Sequence, residues 1–245
     1  MSPVVKCRLC NREAVLQQSH IVPEFFYSPI YDQRHRLFQR VGGRLAKLPP
    51  LQKGLRERLL CRQCEQKLSP HEKYVREMLF GGARTACTNY RDRIELAELS
   101  YLSVRLCFLS VLWRMGIASH QAWRGVRLGP HEDRLRSMIH AEDPGSPTEY
   151  GFFCVIPLFD GEHLPDFLLG PDQVRFEGGR FYRAILGGLV VMFFVSKTPM
   201  PAKCQEFAIT LDGQWVIPKI DAAKVGFIVD EAKRVATARR DETGR

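Results

Sequence analysis

The chain has 245 residues, of which 45% are hydrophobic and 26% charged. This composition is typical of a globular protein that buries a sizeable core, and it excludes wholesale disorder. The formal net charge of +9 favours polyanionic partners, either nucleic acid or an acidic membrane surface.

Two apolar stretches are hydrophobic enough to test as membrane spans. Residues 99–117 are interrupted by Arg105 and Arg114, and residues 184–195 are too few for a bilayer, which takes roughly 20 apolar residues. The N-terminus lacks the apolar segment of a signal peptide. We therefore expect buried core elements in these stretches, no membrane partner and a cytoplasmic protein.

Residues 1–90 are expected to form a first module, rich in Arg, Cys and His and poor in long apolar runs. Residues 28–58 predict a long irregular insertion that contains a hairpin at residues 41–44. A helix is expected over residues 59–79, with a restart at Pro70 and an end at the two glycines that follow.

Residues 91–245 are expected to form a helical and β-rich region of unknown role. Residues 94–118 are hydrophobic nearly all round, as in a helix buried on most sides, where Trp113 joins the core and Arg114 needs a carboxylate partner or a polar pocket. The other predicted elements are a helix at 130–140, strands at 150–158, 174–176, 181–186, 189–195, 207–211 and 214–217, and a C-terminal helix from 221. This region is a candidate for binding a protein partner or forming a homo-oligomer.

The eight cysteines divide into two groups. Four form two Cys-x-x-Cys pairs, Cys7/Cys10 and Cys61/Cys64, and the other four are scattered singly, which is typical of small buried residues in a reducing compartment. Zinc takes four tetrahedral ligands and thiolates suit it, so the two pairs predict a closed, structural Zn²⁺ site. A redox site is a weaker hypothesis, because it needs one pair on a thioredoxin-like βαβ pattern. The predicted fold class is α+β, with an N-terminal zinc-stapled treble clef, a central buried helix and a C-terminal β-rich region.

A histidine follows the first cysteine pair, within Gln18-Ser19-His20-Ile21-Val22-Pro23. The second cysteine pair lies in the segment Leu-Leu-Cys-x-x-Cys-Glu, which ends at Glu65. The order of these three motifs along the chain resembles that of the zinc-stapled HNH endonucleases. In that family, Cys-x-x-Cys is followed by Asp-His-Ile-x-Pro, an Asn and Leu-Cys-x-x-Cys. The resemblance covers about the first 80 residues, and Ser110-Val-Leu-Trp-Arg114 is similar to a helix end in a bacterial subfamily. It implies a ββα-metal module that hydrolyses phosphodiester bonds.

The resemblance also implies roles for individual residues. His20 corresponds to the general base, and a divalent cation, Mg²⁺ or Mn²⁺, would bind the scissile phosphate of DNA, or of RNA. Glu65 stands where the family has a His or Asn metal ligand, and Ser19 stands where it has another ligand, although serine is a poor ligand for Mg²⁺. No Asn lies just before Cys61, so Glu57 becomes a candidate carboxylate in that space.

Simpler structural interpretations exist for the same residues. His20 would then pack a turn, Ser19 would cap one, and Glu65 would suit the dipole at a helix start. The missing Asn and the serine support an alternative function, a non-catalytic zinc-stapled protein that binds nucleic acid or a protein partner. A third hypothesis, a structural zinc protein in a larger complex, requires an exposed apolar face on the 94–118 helix. The basic residues that would contact phosphates are Arg34, Arg36, Arg40, Arg44, Lys47, Lys53, Arg56, Arg58, Arg62 and Lys67.

Overall fold

The N-terminal part is a small antiparallel sheet followed directly by a long helix. The computed structural model describes residues 3–37, 40–41, 44–45 and 49–243, and no side chain is described for residues 40, 41, 44, 45, 235, 236 and 238–243. The sheet has the order β1-β2-β5, and its strands are β1 (Val4–Lys6), β2 (Glu13–His20) and β5 (Arg56–Cys61). Helix α1 (Arg62–Phe80) begins at the residue after β5.

The chain between β2 and β5 contains little regular structure. Two short 3-10 helices, Glu24–Phe26 and Ser28–Ile30, follow β2, and strands β3 (Arg40–Val41) and β4 (Arg44–Leu45) pair with each other antiparallel. This pairing confirms the predicted hairpin, whose two glycines lie outside the described residues. The aromatic residues of the first 3-10 helix are buried in the core.

Helix α1 differs from its prediction at its start and at Pro70. It begins at Arg62 because the preceding residues pair with β2, where Cys61 lies opposite Leu16. Pro70 lies inside the helix, which continues through it, so the predicted restart was wrong. The helix ends at Gly81, whose φ of 89° lies in the region that glycine adopts without strain.

Helix α2 (Tyr101–Ile117) crosses the centre of the molecule. Every residue from 104 to 115 is buried, which confirms the prediction of a buried helix and leaves that segment no exposed apolar face for docking. The helix begins seven residues later than predicted, because strand β7 (Arg93–Ala97) occupies the start of the apolar run. Ser100 caps the helix, since its side chain accepts a hydrogen bond from the Ser103 N–H. Helix α3 (His131–Ala141) packs beside α2 and confirms the shorter predicted helix.

The remaining strands form one eight-stranded sheet in the order β10-β11-β12-β8-β13-β7-β6, with β9 paired to β8. Its pairs are antiparallel except for β13 and β8, which run parallel. The strands not yet given are β6 (Ala86–Asn89), β8 (Phe152–Phe159), β9 (Glu162–His163), β10 (Leu169–Phe176), β11 (Gly179–Leu186), β12 (Leu189–Phe194) and β13 (Trp215–Asp221).

Two predictions for the C-terminal region need correction. Residues 207–211 form turns and irregular chain after the short helix α4 (Ala202–Gln205), where Ala208 and Ile209 are buried without joining a strand and Leu211 is exposed. Helix α5 (Gly226–Thr243) begins five residues after the predicted start, because β13 extends to Asp221 and a 3-10 turn follows it.

The fold is therefore α+β, and its main hydrophobic core is continuous. One cluster of buried residues includes Leu60 from β5, Trp113 from α2 and Phe152 from β8. Strand β6, which precedes residue 90, pairs with β7 in the large sheet. The division into residues 1–90 and 91–245 stays a prediction. In the part of the chain that the structure describes, no helix combines the length and hydropathy needed to cross a membrane.

Candidate metal centre and adjacent histidine

The four paired cysteines lie together where β5 passes into α1. Cys7 and Cys10 come from the turn between β1 and β2, and Cys61 and Cys64 come from the end of β5 and the first turn of α1. The Sγ atoms of all four lie within 4.8 Å of one another. The predicted grouping of the two pairs is thereby confirmed, although they are 51 residues apart in sequence at their nearest members.

The backbone of the first pair forms a tight turn that points both thiols inward. The N–H of Asn11 donates to the carbonyl of Cys7 over 2.9 Å, and the φ of Asn11 is 62°, a conformation that asparagine tolerates better than most residues. The N–H of Cys61 donates to Sγ of Cys7 over 3.3 Å. The N–H of Arg8 donates to the carbonyl of Leu59 over 3.0 Å and fastens this turn to β5.

The arrangement fits a zinc ion. With Zn–S distances of about 2.3 Å, tetrahedral geometry places neighbouring sulfurs ~3.8 Å apart. Sγ of Cys10 lies 3.9 Å from Sγ of Cys61, close to that spacing. Burial and the neighbouring cysteines raise the pKa of the Cys64 thiol far above its ordinary value, since crowded thiolates repel one another. A divalent cation at their centre would offset this repulsion, so the four residues can hold a metal such as zinc.

The cysteines outside this group follow their prediction except at one position. Cys107, Cys154 and Cys204 are buried, as expected for small apolar residues. Cys87 is exposed, because it lies on β6 at the edge of the large sheet. The burial prediction was wrong for this residue.

His20 is the last residue of β2, and its ring is half-buried beside α1 and α2. Its side chain is 27% exposed, so the ring does not point fully into the core. Arg56 lies directly opposite in the antiparallel ladder. Burial is the main factor that lowers the pKa of His20, ahead of the opposing charge of Glu24, so the neutral imidazole is favoured at neutral pH.

Glu24 contacts His20 and was missed by the sequence analysis. Its Oε2 lies 2.8 Å from Nε2 of His20, as an ion-pair contact in which the ring N–H is not aligned with the oxygen. The same carboxylate accepts hydrogen bonds from the Tyr31 hydroxyl over 2.6 Å and from the Gly54 N–H over 3.1 Å. The only local signal for this contact is a carboxylate four residues after the histidine, which is common in any sequence.

Ser19 and Glu65 bind each other. The buried Ser19 hydroxyl donates to Oε1 of Glu65 and accepts from the N–H of Leu60, so it joins β2, β5 and α1. Burial raises the pKa of Glu65, and the Ser19 hydroxyl and Arg114 oppose that shift. The structure brings these two predicted residues together, but the serine oxygen is used by the two hydrogen bonds.

Arg114 contacts the backbone of His20 and binds a carboxylate, one of the two environments predicted for it. Its guanidinium is buried, donates to Oε1 of Glu72 over 2.6 Å and donates to the carbonyl of His20 over 2.7 Å. It also bonds the hydroxyl and the carbonyl of Ser110 one turn earlier in α2. Glu72 lies seven residues after Glu65 on α1, and their charges influence each other.

Glu57 lies on β5 and is directed away from this group. Its two carboxylate oxygens accept from the N–H and hydroxyl of Ser119 and from the N–H of His120, at 2.7 to 2.9 Å. Burial opposes ionisation, but these donors hold the pKa of Glu57 below its ordinary value. Glu57 therefore stabilises the turn after α2, and the structure does not bring it to His20.

The described residues contain one compact group of metal-ligating side chains. Among the parts of the chain that the structure describes, no set of three or more His, Cys, Asp or Glu outside the four cysteines has all its ligand atoms within 4.8 Å of one another. The predicted basic residues are partly engaged elsewhere, since Arg36 pairs with Asp32 and Lys67 with Glu142. Lys47 and the side chains of Arg40 and Arg44 lie outside the described residues.

Three exposed arginines remain near the strand that faces His20. Arg56, Arg58 and Arg62 form no ion pair with a carboxylate in the described part of the chain.

Comparison with known proteins adds no relative, because no family model, curated protein or solved structure matches the chain.

Proposed function

We propose that the protein is an HNH-like metal-dependent endonuclease that hydrolyses phosphodiester bonds in DNA. The observation that carries the proposal is the half-exposed His20 ring at the end of β2, in contact with Glu24 and next to the helix that bears Glu65. A zinc-type cysteine group lies at the start of the same helix. The order β2, insertion, β5 and α1 supports a treble-clef or ββα-metal module at this site.

His20 is the proposed general base. It would take a proton from a water molecule as that water attacks the phosphorus atom. Its lowered pKa leaves the ring neutral near pH 7, which a base requires. Arg56, opposite His20 and exposed, would contact the phosphate backbone.

Glu65 and Glu72 are the residues that would hold a catalytic cation such as Mg²⁺ or Mn²⁺. Each carboxylate uses Oε1 internally, toward Ser19 and Arg114 respectively, and keeps Oε2 without a hydrogen bond in the described part of the chain. This suits Mg²⁺, which commonly takes one or two carboxylates and keeps several waters. When bound, the cation would stabilise negative charge on the phosphate and the leaving oxygen.

A second candidate is a zinc-stapled protein that binds nucleic acid without cutting it. It is favoured by the internal bonds of Ser19, Glu65 and Glu57, which leave no compact second ligand group among the described residues. The three exposed arginines on β5 and at the start of α1, of which Arg56 lies opposite His20, would serve this function equally well.

The two candidates are separated by measuring cleavage and binding with one preparation. Purified zinc-loaded protein is incubated with supercoiled plasmid, single-stranded DNA and RNA in Mg²⁺, Mn²⁺ or EDTA. Metal-dependent nicking supports the nuclease.

Binding is measured by fluorescence anisotropy in EDTA, where Arg56→Ala should weaken the affinity for DNA and flatten its salt dependence. Arg175→Ala is the matched control, because Arg175 is exposed on strand β10 and forms no ion pair within the described residues. Salt-dependent binding without cleavage of any substrate would favour the second candidate.

A further inference from the structure

We propose that Glu24 is a positioning residue for His20, which fixes the imidazole with its proton on Nε2 and leaves Nδ1 as the atom that accepts the proton. The inference rests on the proposed function for its catalytic consequence. Its structural part, the tautomer of His20, stands or falls separately.

The Glu24 carboxylate is held from two sides before it meets the histidine. Tyr31 donates its hydroxyl to Oε1 over 2.6 Å, and the backbone N–H of Gly54 donates to Oε2 over 3.1 Å. A carboxylate held by two such donors has little rotational freedom. Its Oε2 then presents negative charge 2.8 Å from Nε2 of His20.

The backbone on both sides of the contact is also held. Pro23 precedes a 3-10 helix in which Phe25 and Phe26 are buried, so Glu24 leaves the strand in one direction. Arg114 donates to the carbonyl of His20 over 2.7 Å from inside the core. With the backbone held on both sides, rotation about the terminal side-chain torsion of His20, which is broad for histidine, can bring the Nε2–H into line with Oε2.

A neutral imidazole carries one proton, and the nitrogen beside a carboxylate keeps it. With the proton on Nε2, the lone pair lies on Nδ1, where it can accept a proton from water. This is the role of the orienting carboxylate in a Ser-His-Asp triad, transferred to a base that activates water. Because Tyr31 and Gly54 lie near the two ends of the 28–58 insertion, the same carboxylate ties both ends of that segment to the base.

The test compares wild type with Glu24→Gln, which keeps the size of the side chain and removes its charge. Two-bond 1H–15N correlation spectra of 15N-histidine-labelled protein report the tautomer of each histidine, and His20→Ala assigns the signal. Cleavage kinetics give kcat and KM separately. Glu142→Gln is the control, because Glu142 lies 3.4 Å from Nε2 of His71 in a second histidine–glutamate pair.

We expect wild-type His20 as the Nε2–H tautomer, and a mixed or inverted tautomer in Glu24→Gln. In that variant kcat should fall about 10- to 100-fold with KM nearly unchanged, whereas Glu142→Gln should alter neither. A wild-type His20 protonated on Nδ1 would overturn the inference even if the variant fails to fold. So would an unchanged tautomer and kcat in a folded Glu24→Gln protein. If the wild type cuts no substrate while the tautomer shift is present, the proposed function fails and the positioning role stands.

Discussion

Replacing Cys64 by Ser should remove tight zinc binding and lower the thermal stability of the whole chain. The thiolate of Cys64 is one of four whose sulfurs lie within 4.8 Å of one another, and a serine hydroxyl is a poor substitute for a soft metal. Cys64 is buried in the first turn of α1, which packs against α2 in the main core. Loss of the metal should therefore affect more than the first strands.

The size of the effect follows from the free energy of metal binding. Structural zinc contributes an apparent 10–16 kcal/mol in small zinc-binding peptides at neutral pH, whereas whole domains are stable by about 5–15 kcal/mol. If losing one ligand removes even a third of that contribution, about 4 kcal/mol, the melting temperature should fall by roughly 8–16 °C at about 2–4 °C per kcal/mol for a chain of this size.

The assay measures zinc per chain by mass spectrometry after dialysis against EDTA, followed by thermal unfolding monitored by circular dichroism. Cys87→Ser is the matched control, because Cys87 is exposed and lies outside the cysteine group. Wild type and control should retain one zinc per chain and melt alike. A Cys64→Ser protein that keeps one zinc and melts within a degree of wild type would show that Cys64 is not a stabilising metal ligand.

Three further predictions concern the elements that hold the site. Glu57→Gln should destabilise the protein by about 1–2 kcal/mol at pH 7, since its carboxylate accepts three hydrogen bonds from the turn after α2. Because the folded pKa is lowered, this stabilisation is present above the unfolded pKa of about 4.3 and is lost as pH falls through the folded pKa. Urea titrations at pH 7 and pH 3.5 should therefore show the gap to wild type shrinking in acid, and a constant gap would contradict it. Arg105→Lys should cost about 2–4 kcal/mol in the same assay, because the buried guanidinium donates to four backbone carbonyls and lysine has three donors; a loss below 1 kcal/mol would count against this account. Gly54→Ala should cost about 1–3 kcal/mol, since its methyl group would overlap the Tyr27 ring, and an unchanged melting temperature would show that the ring can move.

The features that the sequence predicted well have local causes. The two Cys-x-x-Cys pairs indicated their grouping because each pair already directs two thiols to one side of a short turn. A buried arginine in an apolar helix must find an acceptor, and Arg114 binds Glu72 as that rule requires. The strands at 181–186 and 189–195 could be predicted because two consecutive glycines separate two apolar runs. Both glycines adopt a positive φ in the structure.

The features that were missed depend on partners distant in sequence. The apolar run from residue 94 is compatible with helix or strand, and pairing with β13, more than 100 residues later, makes its first part strand β7. Residues 207–211 have strand composition but no neighbouring strand to pair with, so they form turns instead. The role of Glu24 depends on Gly54, which lies 30 residues away and meets it only in the folded chain.

The most direct test of the proposed nuclease is single-turnover cleavage of a labelled DNA duplex by zinc-loaded wild type, His20→Ala and His140→Ala proteins in Mn²⁺. His140 is exposed at the end of α3 and serves as the histidine control. We expect metal-dependent cleavage that is equal in wild type and control and falls at least 100-fold in His20→Ala with unchanged zinc content. Cleavage that persists in His20→Ala would contradict the assignment of the base, and no cleavage by wild type would contradict the nuclease itself.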